Sequence, residues 1–577
     1  MLNRFYEQEL ANLRQAAVEY SRAHPALAPM LGGASADPDV ERLLEGVAFL
    51  TGMVRQKLDD EFPEFIQELA QLLLPHYLRP VPCATIIQFS PKGALNETAR
   101  VRAGTSINST PVDGTPCMFR TCFDVEAHPM SLEAGQFVDT PGKRPCIRLG
   151  VQLGGVDLAG LRADSIRFHL GSSLPEATNL LALLLRHVDE IVVSVPGGEA
   201  LTLGPEALSA AGLAPDNVLI PYPPHAYPGY RLLQEYFVLP EKFLFVDLAG
   251  IGAWASRQEG KRAFEIEFRM TKVPDWKPDI RPDSFQLNAT PAINVFPHSA
   301  DPIHLDHKRP AYRVVPSGGP KNHFQIYSVD EVIGFQQGVA QQKVYRSFGR
   351  FRHEAAGASS VYRTQMRPSN VGKGNDLFLS VAYAPGEMPV DETLSIRVSC
   401  TNGPLPESLR PGDISRPTDT SPERLEFRNI RVPTPHLLPP TGDMLLWRLL
   451  SHLAVNFLAV ATRDNLCALL SIYLFSEQGE RGSDAANRKR IEAVTDVAVE
   501  PGNRLVGGVM MRGRNIRVTC RSDGFASVGD LYLFGCVLDQ FFGCYASINS
   551  YTRFELVDEL TGEVFRWPER LGQQPLI

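Results

Sequence analysis

The residue types best suited to chemistry gather at His298, Asp301, His304, Asp306 and His307, three imidazoles and two carboxylates within a short stretch. Such a set can hold a divalent cation and activate a bound water. Two features weigh against it. No His-Glu-x-x-His step places two ligands on one helical face, and Pro297, Pro302 and Pro310 make the stretch an irregular loop, where polar side chains ordinarily bond backbone or water. Other catalytic patterns fail in their own terms. Gly318-Gly319-Pro320-Lys321-Asn322 lacks the spacing of a phosphate loop, and its proline removes an amide. Phe525-Ala526-Ser527-Val528-Gly529 puts a bulky ring where a hydrolase elbow needs glycine. His353-Glu354 is followed by Ala355-Ala356-Gly357 rather than by a ligand, and Asp59, Asp60 and Glu61 read as a solvated helix end. No catalytic, metal-binding or cofactor-binding residue is assigned, and the expectation is a protein that is not an enzyme.

The elements that would position any site belong to several domains, because 577 residues exceed what one core accommodates. A formal charge of -8 provides no positive field for a phosphate backbone, so nucleic acid is not expected as a partner. Charges in Met1–Leu10 and the absence of a long apolar run predict no signal peptide and no membrane insertion, hence a cytoplasmic protein. Nine cysteines without a Cys-x-x-Cys pair predict reduced, mostly buried thiols.

Helical periodicity occupies residues 1 to about 75. Phe5, Leu10, Leu13, Ala17 and Tyr20 share a face of a first helix that stops near Pro25. A second starts at Asp37-Pro38-Asp39 with the stripe Val40, Leu43, Leu44, Val47, Leu50, Val54 and Leu58, and a third starts after Phe62-Pro63. Period-two patterns then take over, as in Ile147-Leu149-Val151-Leu153, Phe264-Ile266-Phe268-Met270, Leu377-Leu379-Val381-Tyr383 and Leu394-Ile396-Val398-Cys400. One short helix near Leu180 to His187 interrupts them. Proline-rich joints fall at 221–228 and between 404 and 440, where nine prolines exclude regular central strands. Helical spacing returns at Leu446 to Val460 and at Leu531, Phe534, Leu538, Phe541, Tyr545 and Ile548. The resulting fold class is multidomain α+β: a helical segment (1–82), a mixed strand-rich domain (83–228), a strand-rich domain with proline-rich joints (229–440) and a C-terminal α+β domain (441–577).

Several ordered motifs carry a resemblance. They are Phe5-Tyr6-Glu7-x-Glu9-Leu10, His24-Pro25-x-Leu27-Ala28, Asp37-Pro38-Asp39 through Leu50, and Leu74-Pro75-His76-Tyr77-Leu78-Arg79-Pro80-x-Pro82. Further along come Tyr230 through Phe237, Pro240 through Phe245, Asn288 through Phe296, Cys400-Thr401-Asn402-Gly403, Trp447 through Leu453, Arg512-Gly513 and Ala546 through Ser550. In order and spacing over the whole chain they resemble the TssF (VasA, ImpG) family, baseplate subunits of the bacterial type VI secretion system. Cys83 and Tyr551 depart from the family pattern, where serine and phenylalanine are expected.

The resemblance implies a phage-like baseplate wedge in which two TssF copies clasp one TssG and recruit TssK and TssE around the VgrG spike, at a baseplate docked on the inner membrane. It adds no catalytic residue. Short amphipathic helices need a packing surface, so Val40, Leu43, Leu44, Val47, Leu50 and Val54 are the expected interface residues, with Trp447 and Phe541 as a second candidate pair. The rival readings are a hydrolase using the 298–307 loop and a carbohydrate-binding module using Tyr222 and Tyr227.

Overall fold

The computed structural model describes residues 2–23, 38–73, 75–222, 228–439, 462–474 and 482–572, apart from 94, 134, 273–277, 321, 349–359, 370–374, 384–385, 387 and 507–508. The chain divides into two units, residues 1–74 with 440–449 and residues 75–439 with 450–577.

In the first unit a helix at Leu2–Ala23 ends just before His24-Pro25, as the restriction on a residue preceding proline requires. A long helix begins at Pro38, where the missing N–H is not needed, and carries Asp39 and Glu41 in its first turn against the positive helix end. It runs 36 residues to Leu73, roughly 54 Å at 1.5 Å per residue. The break expected at Phe62-Pro63 is absent. One interior proline removes a single hydrogen bond, and helical periodicity on both sides carries the backbone through it.

The second unit is built of sheets. The four alternating segments form strands Cys146–Leu153, Ala263–Met270, Asn375–Ala382 and Glu392–Thr401. The expected short helix spans Leu174–Arg186 and leads into strand Val188–Ser194. A six-stranded sheet has Ile414–Arg416 and Leu425–Asn429 at its two edges. The proline-rich stretch therefore supplies only edge strands, as loss of backbone donors dictates. Ala263–Met270 lies between Cys146–Leu153 and Val188–Ser194 in a second sheet, so strand pairing passes across the joint at 221–228. Two buried asparagines tie these layers together. Asn294 Nδ2 donates to Asn402 Oδ1 at 2.8 Å and the Asn402 amide donates to Asn294 Oδ1 at 2.7 Å. The same oxygen of Asn402 accepts from the Met118 amide at 2.9 Å.

At the C-terminal end, strands Val509–Cys520 and Ser550–Asp558 run parallel and are joined by the helix Val528–Tyr545. Parallel neighbours need such a crossover. This helix is apolar on most sides because it is buried: Leu531, Phe534, Leu538 and Phe541 are all fully buried. Ile548 falls beyond its end and is exposed. The helix packs against Leu174–Arg186 so closely that a Cβ on Gly529 would lie 2.3 Å from Thr178 O.

Two outcomes follow from this helix. Gly529→Val should lower stability by about 1–3 kcal/mol or more, the usual cost of overpacking, read as a drop in Tm. Asp539 is sealed in, with Oδ2 2.6 Å from Arg570 Nε and Oδ1 without a hydrogen-bond partner. Burial pushes its carboxyl from 3.8 up to about 6, with Arg570 opposing. The folded state therefore holds a proton that the unfolded chain has released, so this group's contribution to stability falls as pH rises from about 4 to about 6. Asp539→Asn should gain stability relative to the parent across that window, measured by urea midpoints at each pH.

Candidate interaction surface

The two N-terminal helices lie antiparallel, with ion pairs Arg14–Glu41 at 2.7 Å and Arg55–Glu9 between them. Exposed pairs of this kind contribute little. The seam is made by spacing of four: Val40 and Leu44 are half-buried, and Ala48 and Gly52 are buried, against half-buried Tyr6, Leu10, Leu13 and Ala17. Small residues at Ala48 and Gly52 let the two backbones approach.

The expected single stripe is thus divided. Val40 and Leu44 border the seam, whereas Leu43, Val47, Leu50 and Val54 occupy the neighbouring face at 100° per residue. These four stay in solvent, Leu43 at 68%, Leu50 at 63% and Val54 at 60%. Phe49 and Met53 widen the exposed apolar surface, and Val18 and Tyr20 of the first helix are also exposed. The stripe, read as one face, hid this. Ala48 and Gly52 were the signal that marks the closed side.

The second pair of expected interface residues falls differently. Trp447 lies outside the described residues, as does the 446–460 series. Phe541 is fully buried, 6.4 Å from Tyr230 and 5.5 Å from Phe542 between ring centroids. Its alternation of three and four reflects a core helix, which corrects its expected place at an interface.

Motifs distant in sequence converge inside the second unit. Helix Pro228–Val238 holds Gln234 and Glu235, both buried. Glu235 Oε1 accepts from the amides of Leu219 and Ile220 at 2.9 and 3.0 Å, and its Oε2 meets Lys242 Nζ at 2.7 Å. Burial pushes the Lys242 ammonium down from its ordinary pKa, and Glu235 opposes that shift. Tyr222 donates to Gln234 and stacks on His76 at 4.5 Å. Arg79 and Tyr327 both donate to the Pro221 carbonyl, at 3.4 and 2.9 Å. Tyr222 is turned inward, so the surface aromatic imagined for sugar binding is a structural residue. Tyr227 lies outside the described residues.

The 298–307 side chains are dispersed. His298 Nε2 contacts Ser317 O at 2.7 Å and its ring stacks on Phe324. Asp306 accepts from Tyr312 at 2.6 Å, His307 Nε2 contacts Val390 O at 3.0 Å, and His304 projects from strand Ile303–Leu305 into solvent. Among the described residues no three His, Cys, Asp or Glu side chains form a metal-binding group. Ser527 caps the helix Val528–Tyr545, accepting from the Asp530 amide at 3.1 Å. That is a structural use for the hydroxyl. None of the helices described is long and apolar enough to cross a membrane.

What this arrangement defines is a multidomain α+β protein that carries an open apolar helical face and a body locked by buried polar pairs. The family described as "Type VI secretion system, TssF" matches residues 1–574, and the chain belongs to it. Type VI secretion system component TssF1 of Pseudomonas aeruginosa is 30% identical over 620 aligned positions, covering 99% of this chain and 98% of that protein. A chain in the cryo-electron microscopy structure of the TssK-TssF-TssG baseplate subcomplex superposes with a TM-score of 0.79 at 29% identity, covering 92% of this chain and 98% of the other. A chain of a type VI secretion baseplate complex, 24% identical, shares the fold with a TM-score of 0.62 over the full length of both.

The Glu235–Lys242 pair supplies a stability test. Lys242→Ala leaves a buried carboxylate without its counter-ion and should cost about 3–5 kcal/mol. Glu235→Gln combined with Lys242→Met should recover more than half of that in denaturant midpoints.

Proposed function

We propose that this chain is a structural subunit of a type VI secretion baseplate wedge and that it acts by binding other chains rather than by catalysis. The membership of the TssF family over nearly the whole length carries the reading, and the open face of the long helix supplies a physical means for it. In this reading two copies clasp one TssG, and the heterotrimer recruits TssK and TssE around VgrG to prime assembly of tube and sheath. The assembly stands in the cytoplasm at an inner-membrane-docked baseplate.

Leu43, Val47, Leu50 and Val54 are the residues we assign to the contact with TssG and the second copy, with Val40 and Leu44 at its border. Residues 1–82 act as the assembly segment, and 83–228, 229–440 and 441–577 as successive parts of the body. Each buried Leu or Val contributes roughly 1.5–3 kcal/mol, enough for one such face to anchor a permanent complex once a partner covers it. Two identical segments around one partner occupy two different environments.

Leu43→Asp with Val47→Asp should abolish co-purification with TssG. Circular dichroism and the melting profile of the strand-rich body should stay unchanged. Retention of the complex at normal stoichiometry would refute the assignment.

A further inference from the structure

The eight-stranded sheet that spans residues 296–401 has two unlike faces. One is core, with Val332, Tyr345, Tyr362, Leu379, Leu394 and Ile396. Alternate residues of a strand point to the opposite side, and the register places Ile333 beside Val344 there, with Phe335 one step along and Phe378 two strands away. Phe335 is 43% exposed and Val344 57%. Phe348, just past the strand Lys343–Ser347, is 52% exposed. β-Branched and aromatic side chains here form a connected surface in water.

The same face is cationic, although the chain as a whole carries -8. Arg346, Arg363 and Arg367 share it by strand alternation. The Arg363 guanidinium sits 5.1 Å over the Phe348 ring and Arg367 sits 4.9 Å over Phe378. A guanidinium held flat on a ring still offers its edge to a carboxylate. The carboxylates on this side are fewer, and they are already engaged: Glu331 with Arg397, Asp376 with Arg313, and Asp330 with Ser328 and Ser399.

The geometry points to this sheet face as a second docking surface, for a protein partner that presents acidic side chains among apolar ones. It is separate from the helical face and rests on the baseplate reading only for the choice of probes. An acidic partner matches the local charge, whereas a nucleic acid would meet a protein of the wrong overall sign.

Hydrogen exchange on the full chain, free and reconstituted with purified TssG and TssK of the same organism, tests it. Residues 331–348 and 361–367 should be protected in the complex. Arg363→Glu with Arg367→Glu should weaken that partner at least tenfold, as should Phe335→Ser with Val344→Ser, and raising salt should weaken the parent contact. Binding of either protein with unchanged exchange on this face overturns the inference alone. Failure of the chain to bind either one overturns the baseplate reading and this inference with it. Protection that appears on concentrating the chain by itself, or on adding a poly-uridine RNA but neither protein, assigns the face to a different occupant and also overturns it.

Discussion

A carboxylate removed from water must find compensating partners, and Glu235 finds them in separate stretches of chain. Two backbone amides at Leu219 and Ile220 and the ammonium of Lys242 surround it. Around that centre, Tyr222 holds Gln234 and stacks on His76, while the Pro221 carbonyl gathers Arg79 and Tyr327. The segment following the long helix, the helix Pro228–Val238 and the eight-stranded sheet are therefore joined by polar contacts whose loss leaves buried groups unsatisfied. Asn294 and Asn402 repeat the device between the sheets. Apolar burial supplies the bulk of stability, but these pairs fix which layer lies against which.

Much of this was legible in the residues. Alternating segments such as Ile147-Leu149-Val151-Leu153 became strands, because period two admits few other outcomes when one face is buried. Motifs in the 74–82, 230–237 and 240–245 regions marked the chain's family, yet their meeting around Glu235 is a property of topology. A linear sequence does not state that His76 touches Tyr222. The continuity of the helix through Pro63 was hidden because proline is a statistical breaker whose cost depends on its surroundings.

The candidate site was half legible. Leu43, Val47, Leu50 and Val54 are apolar at helical spacing and remain exposed, as an interaction face requires. Val40 and Leu44 belong to the same periodic series but border the first helix. An apolar stripe wider than one contact serves two contacts, and small residues such as Ala48 and Gly52 show which side is closed. Phe541 illustrates the converse. Spacing suited to a helix seam arises equally within a core, and only burial separates the two.

The short edge strands have a bearing on solubility. A chain with an open helical face must persist at working concentration until a partner covers it, and long flat sheet margins would compete by joining molecules edge to edge. In the six-stranded sheet the margins are Ile414–Arg416 and Leu425–Asn429, within a stretch dense in proline. Such borders are poor templates for fibril growth. Adhesion is thereby confined to side-chain surfaces, which discriminate among partners in a way that bare backbone does not.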